Sequence, residues 1–288
     1  MRTLEPGSTS DLEECAKLAG RGGKMNRILM TLPMAAVLLV AIRLRAQESL
    51  GNSQQNRAEL CAKADSLPRA AQRGCVEKVR ELLAANGVDS TNGSESEALT
   101  TAIRSGNKEI VEILIRAGAP VNPSQTVLWP PLSDAAFTKH FEIMKLLLQS
   151  GARVDAPDHR GVTLLVSTGF FDPTVTTILL DAGADPNAAD REGITALMKA
   201  SAHGLKETVK LLIDHHANVN QKDAYGRTAL MHAAASRYST AMPLLLENGA
   251  DVTALDNEGR SALALADRSN NLGAIAMLSL AVKRSTKP

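Results

Sequence analysis

The chain has 288 residues, a formal net charge of +1, 44% hydrophobic residues and only 2% aromatic residues. A net charge this close to zero argues against nucleic-acid binding driven by bulk charge. The three cysteines, Cys15, Cys61 and Cys75, have neither the spacing of a metal site nor the density of a disulfide framework.

The N-terminal part carries an apolar run without charges from Ile28 to Ile42, with basic residues on both sides. As a helix this run spans about 22 Å, which is short of the ~30 Å hydrocarbon core of a bilayer. We expect residues 25–46 to be a signal peptide or an uncleaved anchor, in which snorkelling arginines extend the membrane contact over residues 28–44. Residues 1–24 are then a disordered extension, or a mis-assigned start if translation begins at Met25. The chain would be periplasmic, secreted or anchored by a single membrane pass; a buried helix of a cytoplasmic protein is the alternative.

Residues 47–65 predict a polar linker followed by a short helix near residues 58–64. Cys61 lies in this helix, and Cys75 lies in the segment that follows. In an oxidising compartment the two thiols can form a disulfide that holds the N-terminal cap. Two independent, partly buried thiols are the alternative.

From residue 66 onward the chain repeats itself with a period near 33 residues, and Gly193, Gly226 and Gly259 are spaced 33 residues apart. A fixed period of this length predicts a solenoid, in which each unit buries its apolar face against its neighbours. In the clearest unit, Asp190 and Gly193 predict a β-turn and Thr195 predicts a helix cap. Two short apolar helices follow.

The pattern D-x-x-G-x-T-A-L-M-x-A-A, followed by V-x-x-L-L-x-x-G-A-x-V-N, resembles the ankyrin repeat, most specifically from residue 158 to residue 263. The resemblance implies an all-α fold, a solenoid of about seven stacked helix-turn-helix units with β-turn fingers. The predicted units span residues 66–88, 94–122, 125–155, 158–187, 190–220, 223–253 and 256–280, and a basic tail occupies residues 281–288.

Catalytic and metal signatures are absent from the sequence, which has no H-E-x-x-H, C-x-x-C or G-x-S-x-G motif. The recurrent aspartates at 158, 190, 223 and 256 have the period of the repeat, so we interpret them as turn residues. The adjacent His215 and His216 fall in a predicted solvated turn. We therefore expect no enzyme activity, no catalytic residue, no metal and no cofactor.

Aromatic residues are concentrated in the third and fourth units. The resemblance implies that these positions line the concave binding surface, and exposed aromatic clusters commonly anchor protein interfaces. The alternative is that the rings fill irregular packing inside their own units. The predicted partner-binding residues are Trp129, Phe137, His159, Arg160, Phe170, Phe171, Arg191, Glu192 and Tyr225.

We therefore expect a non-enzymatic scaffold that presents a rigid surface to a protein partner, outside the cytoplasm or at the membrane. No nucleic-acid partner is expected, and membrane contact is expected only through residues 28–44 if they are retained. One alternative is a secreted effector that binds host proteins. An alternative of another class is an envelope protein that handles metals or redox equivalents through the histidines and the two later cysteines.

Overall fold

The computed structural model describes residues 56, 58–86, 94–122, 129–168 and 172–285. The predicted extension at 1–24 and the predicted export segment at 25–46 lie outside the described residues. Within the described ranges, none of the helices combines the length and the hydropathy that a membrane crossing requires.

Contacts between residues divide the chain into two units, residues 1–63 and residues 64–288. In the first unit, residues 58–62 are helical, and Lys63 pairs with Glu59 at 2.8 Å. The second unit contains all of the helices named below.

The second unit consists of consecutive pairs of short helices, two for each predicted repeat. The described residues form no strand and contain only two isolated β-bridges, Ala189–Thr195 and Leu255–Ser261. The prediction of an all-α solenoid of helix-turn-helix units is thus confirmed. The helices are α1 (Leu67–Gln72), α2 (Val76–Asn86), α3 (Ser94–Arg104), α4 (Lys108–Arg116), α5 (Pro131–Phe137), α6 (Phe141–Gln149), α7 (Leu164–Thr168), α8 (Pro173–Asp181), α9 (Ala196–Ala202), α10 (Lys206–Asp214), α11 (Ala229–Ala235), α12 (Met242–Glu247), α13 (Ala262–Arg268) and α14 (Leu272–Ser285).

Turn and cap residues set where the first helix begins in the fifth, sixth and seventh units. In the sixth unit, the Gly226 N–H donates to the Asp223 carbonyl oxygen at 2.9 Å, and Gly226 has a φ of +75°. This left-handed conformation favours glycine because a side chain would crowd the following carbonyl group. Thr228 then caps α11 by accepting the Met231 N–H at 3.4 Å, and Thr195 caps α9 in the same way, as predicted.

The core follows the repeat. One leucine in the second helix of nearly every unit is fully buried, and these leucines are spaced 32 or 33 residues apart: Leu114, Leu147, Leu179, Leu212, Leu245 and Leu278. The first helices bury alanines in addition to larger apolar side chains such as Leu197 and Leu230, and α9 packs closely on α11 and α11 on α13. No unit covers its own leucine stripe, which is why the units stack.

The C-terminal boundary differs from the prediction. Helix α14 continues to Ser285, whereas the last repeat was expected to end at residue 280 and to be followed by a basic tail. Ala281 and Val282 extend the apolar sequence of the helix. Lys283 and Arg284 then lie in its last turn, where positive charge interacts favourably with the helix dipole.

Candidate functional site

The fourth to seventh units each begin with a β-turn, which we call a finger and number after its unit. These fingers start at Asp158, Asp190, Asp223 and Asp256, and they share one hydrogen-bond pattern. In each finger the Oδ1 atom of the first aspartate accepts the backbone N–H groups two and four residues later. In the fourth finger, Asp158 accepts from Arg160 at 2.8 Å and from Val162 at 2.9 Å. Asp190, Asp223 and Asp256 repeat this pattern. The recurrent aspartates are therefore turn residues, as interpreted from the sequence.

The second carboxylate oxygen, Oδ2, faces a cation that lies two residues later in the fourth finger, nine in the fifth, and four in the sixth and seventh. Three of these contacts are close, at 2.8 to 3.0 Å. They join Asp158 to Arg160, Asp223 to Arg227, and Asp256 to Arg260. The buried Asp223 also contacts His232, whose Nε2 lies 2.9 Å from Oδ2.

These contacts shift the pKa values of the groups involved. Burial alone would raise the pKa of Asp158 and of Asp223. The backbone N–H groups and the adjacent arginines outweigh this effect, so both pKa values are lowered. Burial lowers the pKa of His232, against the opposing effect of its hydrogen bond with Asp223. The sixth finger therefore keeps the ionised Asp223 carboxylate beside the neutral His232 imidazole near neutral pH.

The fifth finger is the exception. The nearest cation to Asp190 Oδ2 is Lys199, with its Nζ atom 3.6 Å away. Within the described ranges, no hydrogen bond reaches this oxygen or the Lys199 ammonium group. Both side chains are still largely buried, with exposures of 16% and 25%.

An aromatic cluster lies beside this loose pair. The half-buried ring of Trp129 precedes α5, and the Phe137 ring at the end of α5 meets it edge to face with centroids 5.3 Å apart. His159 approaches the indole from the fourth finger at 5.6 Å, also edge to face. The Arg160 guanidinium lies over the indole, with Cζ 5.5 Å from the ring centroid. The structure thus brings together four of the residues predicted for the partner site.

An open cavity of about 340 Å³ separates the aromatic cluster from the loose ion pair. The fourth and fifth fingers, α5, α7 and α9 contribute its walls. We call it the Trp129 cavity; its lining residues are Trp129, Phe137, Arg160, Val162, Ser167, Asp190 and Lys199.

The other predicted site residues are distributed differently. Arg191 and Glu192 are exposed at the tip of the fifth finger, where the Arg191 Nε atom would lie 3.4 Å from a Cβ at Gly161. Tyr225 is 55% exposed on the sixth finger, and the Arg227 guanidinium lies 4.7 Å from its ring centroid. Tyr225 does not line the Trp129 cavity. The predictions for Phe170 and Phe171 fall outside the described residues.

Four lining residues were not predicted for the site: Val162, Ser167, Asp190 and Lys199. The sequence does indicate two of them, Ser167 and Lys199, because they occupy the same position of the repeat. Ser167, Lys199 and His232 each follow the first aspartate of their finger by nine residues. Comparing this column between units would have shown that its polar side chains share one face.

Cys61 and Cys75 are each disulfide-bonded. Within the part of the chain that the structure describes, no group of three or more histidines, cysteines, aspartates and glutamates is arranged to hold a metal ion.

Comparison with known proteins identifies the repeat. The family of ankyrin repeats in three copies matches residues 67–158 and 164–256. Human cyclin-dependent kinase inhibitor 2A is 33% identical over 99 residues, which cover 34% of this chain and 64% of that protein. An ankyrin repeat protein of Rickettsia felis is 43% identical over 58 residues, which cover 20% of this chain and 26% of that protein. The chain therefore spans less than two thirds of the length of either relative.

Among solved structures, the ankyrin repeat domain of Bcl-3, a member of the IkappaB family, is similar to this fold. The TM-score is 0.59 at 30% sequence identity, and the match covers 64% of this chain and 85% of that chain.

Proposed function

The chain belongs to the ankyrin-repeat family, a family of protein–protein interaction modules, and from this premise we propose that it is a non-enzymatic scaffold that binds a protein partner at the Trp129 cavity. The observation that carries the proposal is the contact of the only tryptophan in the chain with Phe137, which is 41% exposed. A ring that only fills its own core would be buried. Phe137 is therefore better explained as part of a binding surface than as a packing plug.

The composition of the cavity supports the same proposal. Tryptophan and arginine are enriched among the residues that dominate binding energy, and Trp129 and Arg160 lie together here. Both are held by ordered elements: α5 follows Trp129, and Arg160 is tied to Asp158. Binding to a surface that is already ordered loses little conformational entropy.

The location is part of the proposal. Export through residues 25–46 would place the repeats outside the cytoplasm, either free or anchored by residues 28–44. The disulfide-bonded state of Cys61 and Cys75 supports this location, because disulfides persist in oxidising compartments. The human relative, by its name, inhibits a cyclin-dependent kinase. The partner of the present chain is, in this proposal, also a protein, but one that lies outside the cytoplasm.

The test is capture of a partner by the full chain after cross-linking in native cells. We expect the wild-type chain to retain a defined set of proteins and the double variant Trp129→Ala, Phe137→Ala to lose it. The matched control is Tyr238→Ala, which removes an aromatic side chain that is 56% exposed and lies outside the Trp129 cavity. Equal capture by all three chains would overturn the proposal.

A further inference from the structure

The loose pair in the fifth finger leaves hydrogen-bonding capacity facing the Trp129 cavity. In the three comparable fingers, arginine fills Oδ2 of the first aspartate at 2.8 to 3.0 Å. Asp190 and Lys199 line the cavity instead, 3.6 Å apart. The cavity wall therefore presents two groups side by side: a carboxylate oxygen that can accept a hydrogen bond and an ammonium group that can donate one.

The backbone hydrogen bond that joins neighbouring fingers elsewhere is missing between the fourth and fifth fingers, among the described residues. The Glu192 carbonyl oxygen accepts the Ala224 N–H at 2.8 Å, and the Tyr225 carbonyl oxygen accepts the Asn257 N–H at 2.9 Å. These bonds join the fifth finger to the sixth and the sixth to the seventh. Across the described fingers, no corresponding bond joins Arg160 to the backbone of Arg191. The step between fingers four and five thus combines an unjoined backbone with the loose ion pair, and both border the same cavity.

Charge limits what this cavity can accept. A carboxylate entering between the two side chains would gain from Lys199 but be repelled by Asp190. A cationic group would gain from Asp190 but be repelled by Lys199. A neutral hydroxyl group avoids both conflicts, because it can donate to Asp190 Oδ2 and accept from Lys199 Nζ at the same time.

The opposite wall determines the rest of the ligand. Trp129, Phe137 and Val162 present apolar and aromatic surface, and aromatic rings pack on one another in edge-to-face or offset arrangements. The occupant that satisfies both walls has an aromatic ring with a hydroxyl at its far end.

We propose that the Trp129 cavity is a receptor for a tyrosine side chain of the partner protein, with the ring against Trp129 and Phe137 and the phenol between Asp190 and Lys199. This inference rests on the proposed function and adds the chemistry of the residue that is recognised. Tyrosine is also a residue that often dominates the binding energy of protein interfaces, because it combines a large apolar ring with a polar end.

The test measures binding by the fluorescence of Trp129, the single tryptophan, in the full chain purified from cells. The excitation wavelength is longer than the wavelengths that tyrosine absorbs. The probes are N-acetyl-tyrosinamide and N-acetyl-phenylalaninamide, which differ only in the hydroxyl group. We expect the tyrosine probe to bind about tenfold more tightly, because the phenylalanine probe has no hydroxyl group to hydrogen-bond with the desolvated Asp190 and Lys199. Equal Kd values for the two probes would overturn the inference.

Two variants locate the effect. Lys199→Met removes the ammonium donor. Asp190→Asn retains one oxygen for the backbone N–H groups but replaces the second oxygen, which would accept the phenol hydrogen, with an NH2 group. Both should reduce the preference for tyrosine to about twofold or less. Lys206→Met, which changes an exposed lysine on α10, should leave the preference unchanged. A preference retained in Lys199→Met, or tighter binding of the corresponding glutamate or arginine amide, would contradict the tyrosine assignment.

The two proposals can fail separately. If Trp129→Ala, Phe137→Ala abolishes partner capture while the two probes bind equally, the scaffold proposal stands and the tyrosine inference is wrong. If the probes are discriminated while partner capture is unaffected, the cavity binds tyrosine but is not the partner site, and the inference about the partner is wrong with it.

Discussion

Arg160 holds its guanidinium 5.5 Å from the centroid of the Trp129 ring while its Nη2 atom stays 3.0 Å from Asp158 Oδ2. One side chain thus joins the turn of the fourth finger to the aromatic residue that precedes the third pair of helices. The hydrogen bonds that shape the finger therefore also position one wall of the Trp129 cavity.

The first prediction compares two aspartates in the same register. Asp223→Ala should lower the free energy of unfolding by about 3 kcal/mol. The Asp223 carboxylate accepts two backbone N–H groups and also bonds the side chains of Arg227 and His232, and all four bonds are lost. Asp190→Ala should cost at least about 1 kcal/mol less, since no hydrogen bond to its Oδ2 is lost. Urea unfolding of both variants measures the difference. Equal costs would show that the fifth finger is not looser than the sixth.

The second prediction concerns two glycines with nearly the same backbone conformation, Gly226 at φ +75° and Gly259 at φ +74°. Replacing either by alanine should cost about 1–2 kcal/mol of left-handed strain. A Cβ at Gly226 would also meet Asn257, with the backbone nitrogen at 3.0 Å, whereas a Cβ at Gly259 meets nothing within 4 Å. Thermal unfolding should therefore show a larger loss for Gly226→Ala. If Gly259→Ala is equally destabilised, contact between fingers contributes little.

The third prediction concerns acid sensitivity. The pKa of His232 is lowered by burial in the folded chain, so the unfolded chain takes up this proton first as the pH falls. Stability should decrease as the pH drops through about 6.5, the ordinary pKa of histidine, towards the lower folded value. His232→Leu should make the free energy of unfolding less dependent on pH between about pH 7.5 and pH 5.5.

Leucine is a suitable replacement because Leu265 occupies the corresponding position of the seventh unit and is buried. His203→Gln, at an exposed histidine, is the control and should retain the wild-type pH dependence. An unchanged pH dependence in His232→Leu would mean that other groups cause the acid sensitivity.

The fourth prediction concerns the two disulfide-bonded cysteines. We expect peptide mapping without reductant to recover Cys61 and Cys75 in one cross-linked fragment. The loop they would close contains roughly 13 residues, so its reduction should cost on the order of 3 kcal/mol in the chain-entropy model. Cys15→Ser should leave the effect of reductant unchanged, and Cys61→Ser with Cys75→Ser should abolish it. A melting temperature that is insensitive to reductant would contradict this expectation.

Much of the fold was predictable because the information repeats along the sequence. Gly193, Gly226 and Gly259 mark the turns, and Thr195 marks a helix start, through local hydrogen bonds that need no distant partner. The end of α14 was misjudged because the repeat stops there and no later unit confirms the boundary. Ala281 and Val282 continue the helix without a signal of period 33.

The candidate site was predictable only in part. The concentration of aromatic residues indicated Trp129 and Phe137, and the positions of the finger tips indicated His159 and Arg160. The role of Lys199 depends on how far its side chain reaches across a turn, and the distance of 3.6 Å to Asp190 is a property of the packed structure. The period of Asp190 matches the turns and therefore predicts only a turn role, yet the turn uses only one of its two oxygens.

The measurement that most directly tests the central claim is photo-cross-linking in living cells from the tip of the fifth finger, next to Asp190 of the Trp129 cavity. A photoreactive amino acid is placed at Arg191, which is exposed beside the fourth finger, or at Lys210, which is exposed on α10. We predict a discrete cross-linked partner from position 191, lost when Trp129→Ala and Phe137→Ala are added, and no such product from position 210. The same products from both positions, or a product at position 191 that survives loss of the two rings, would contradict the assignment of the Trp129 cavity as the partner site.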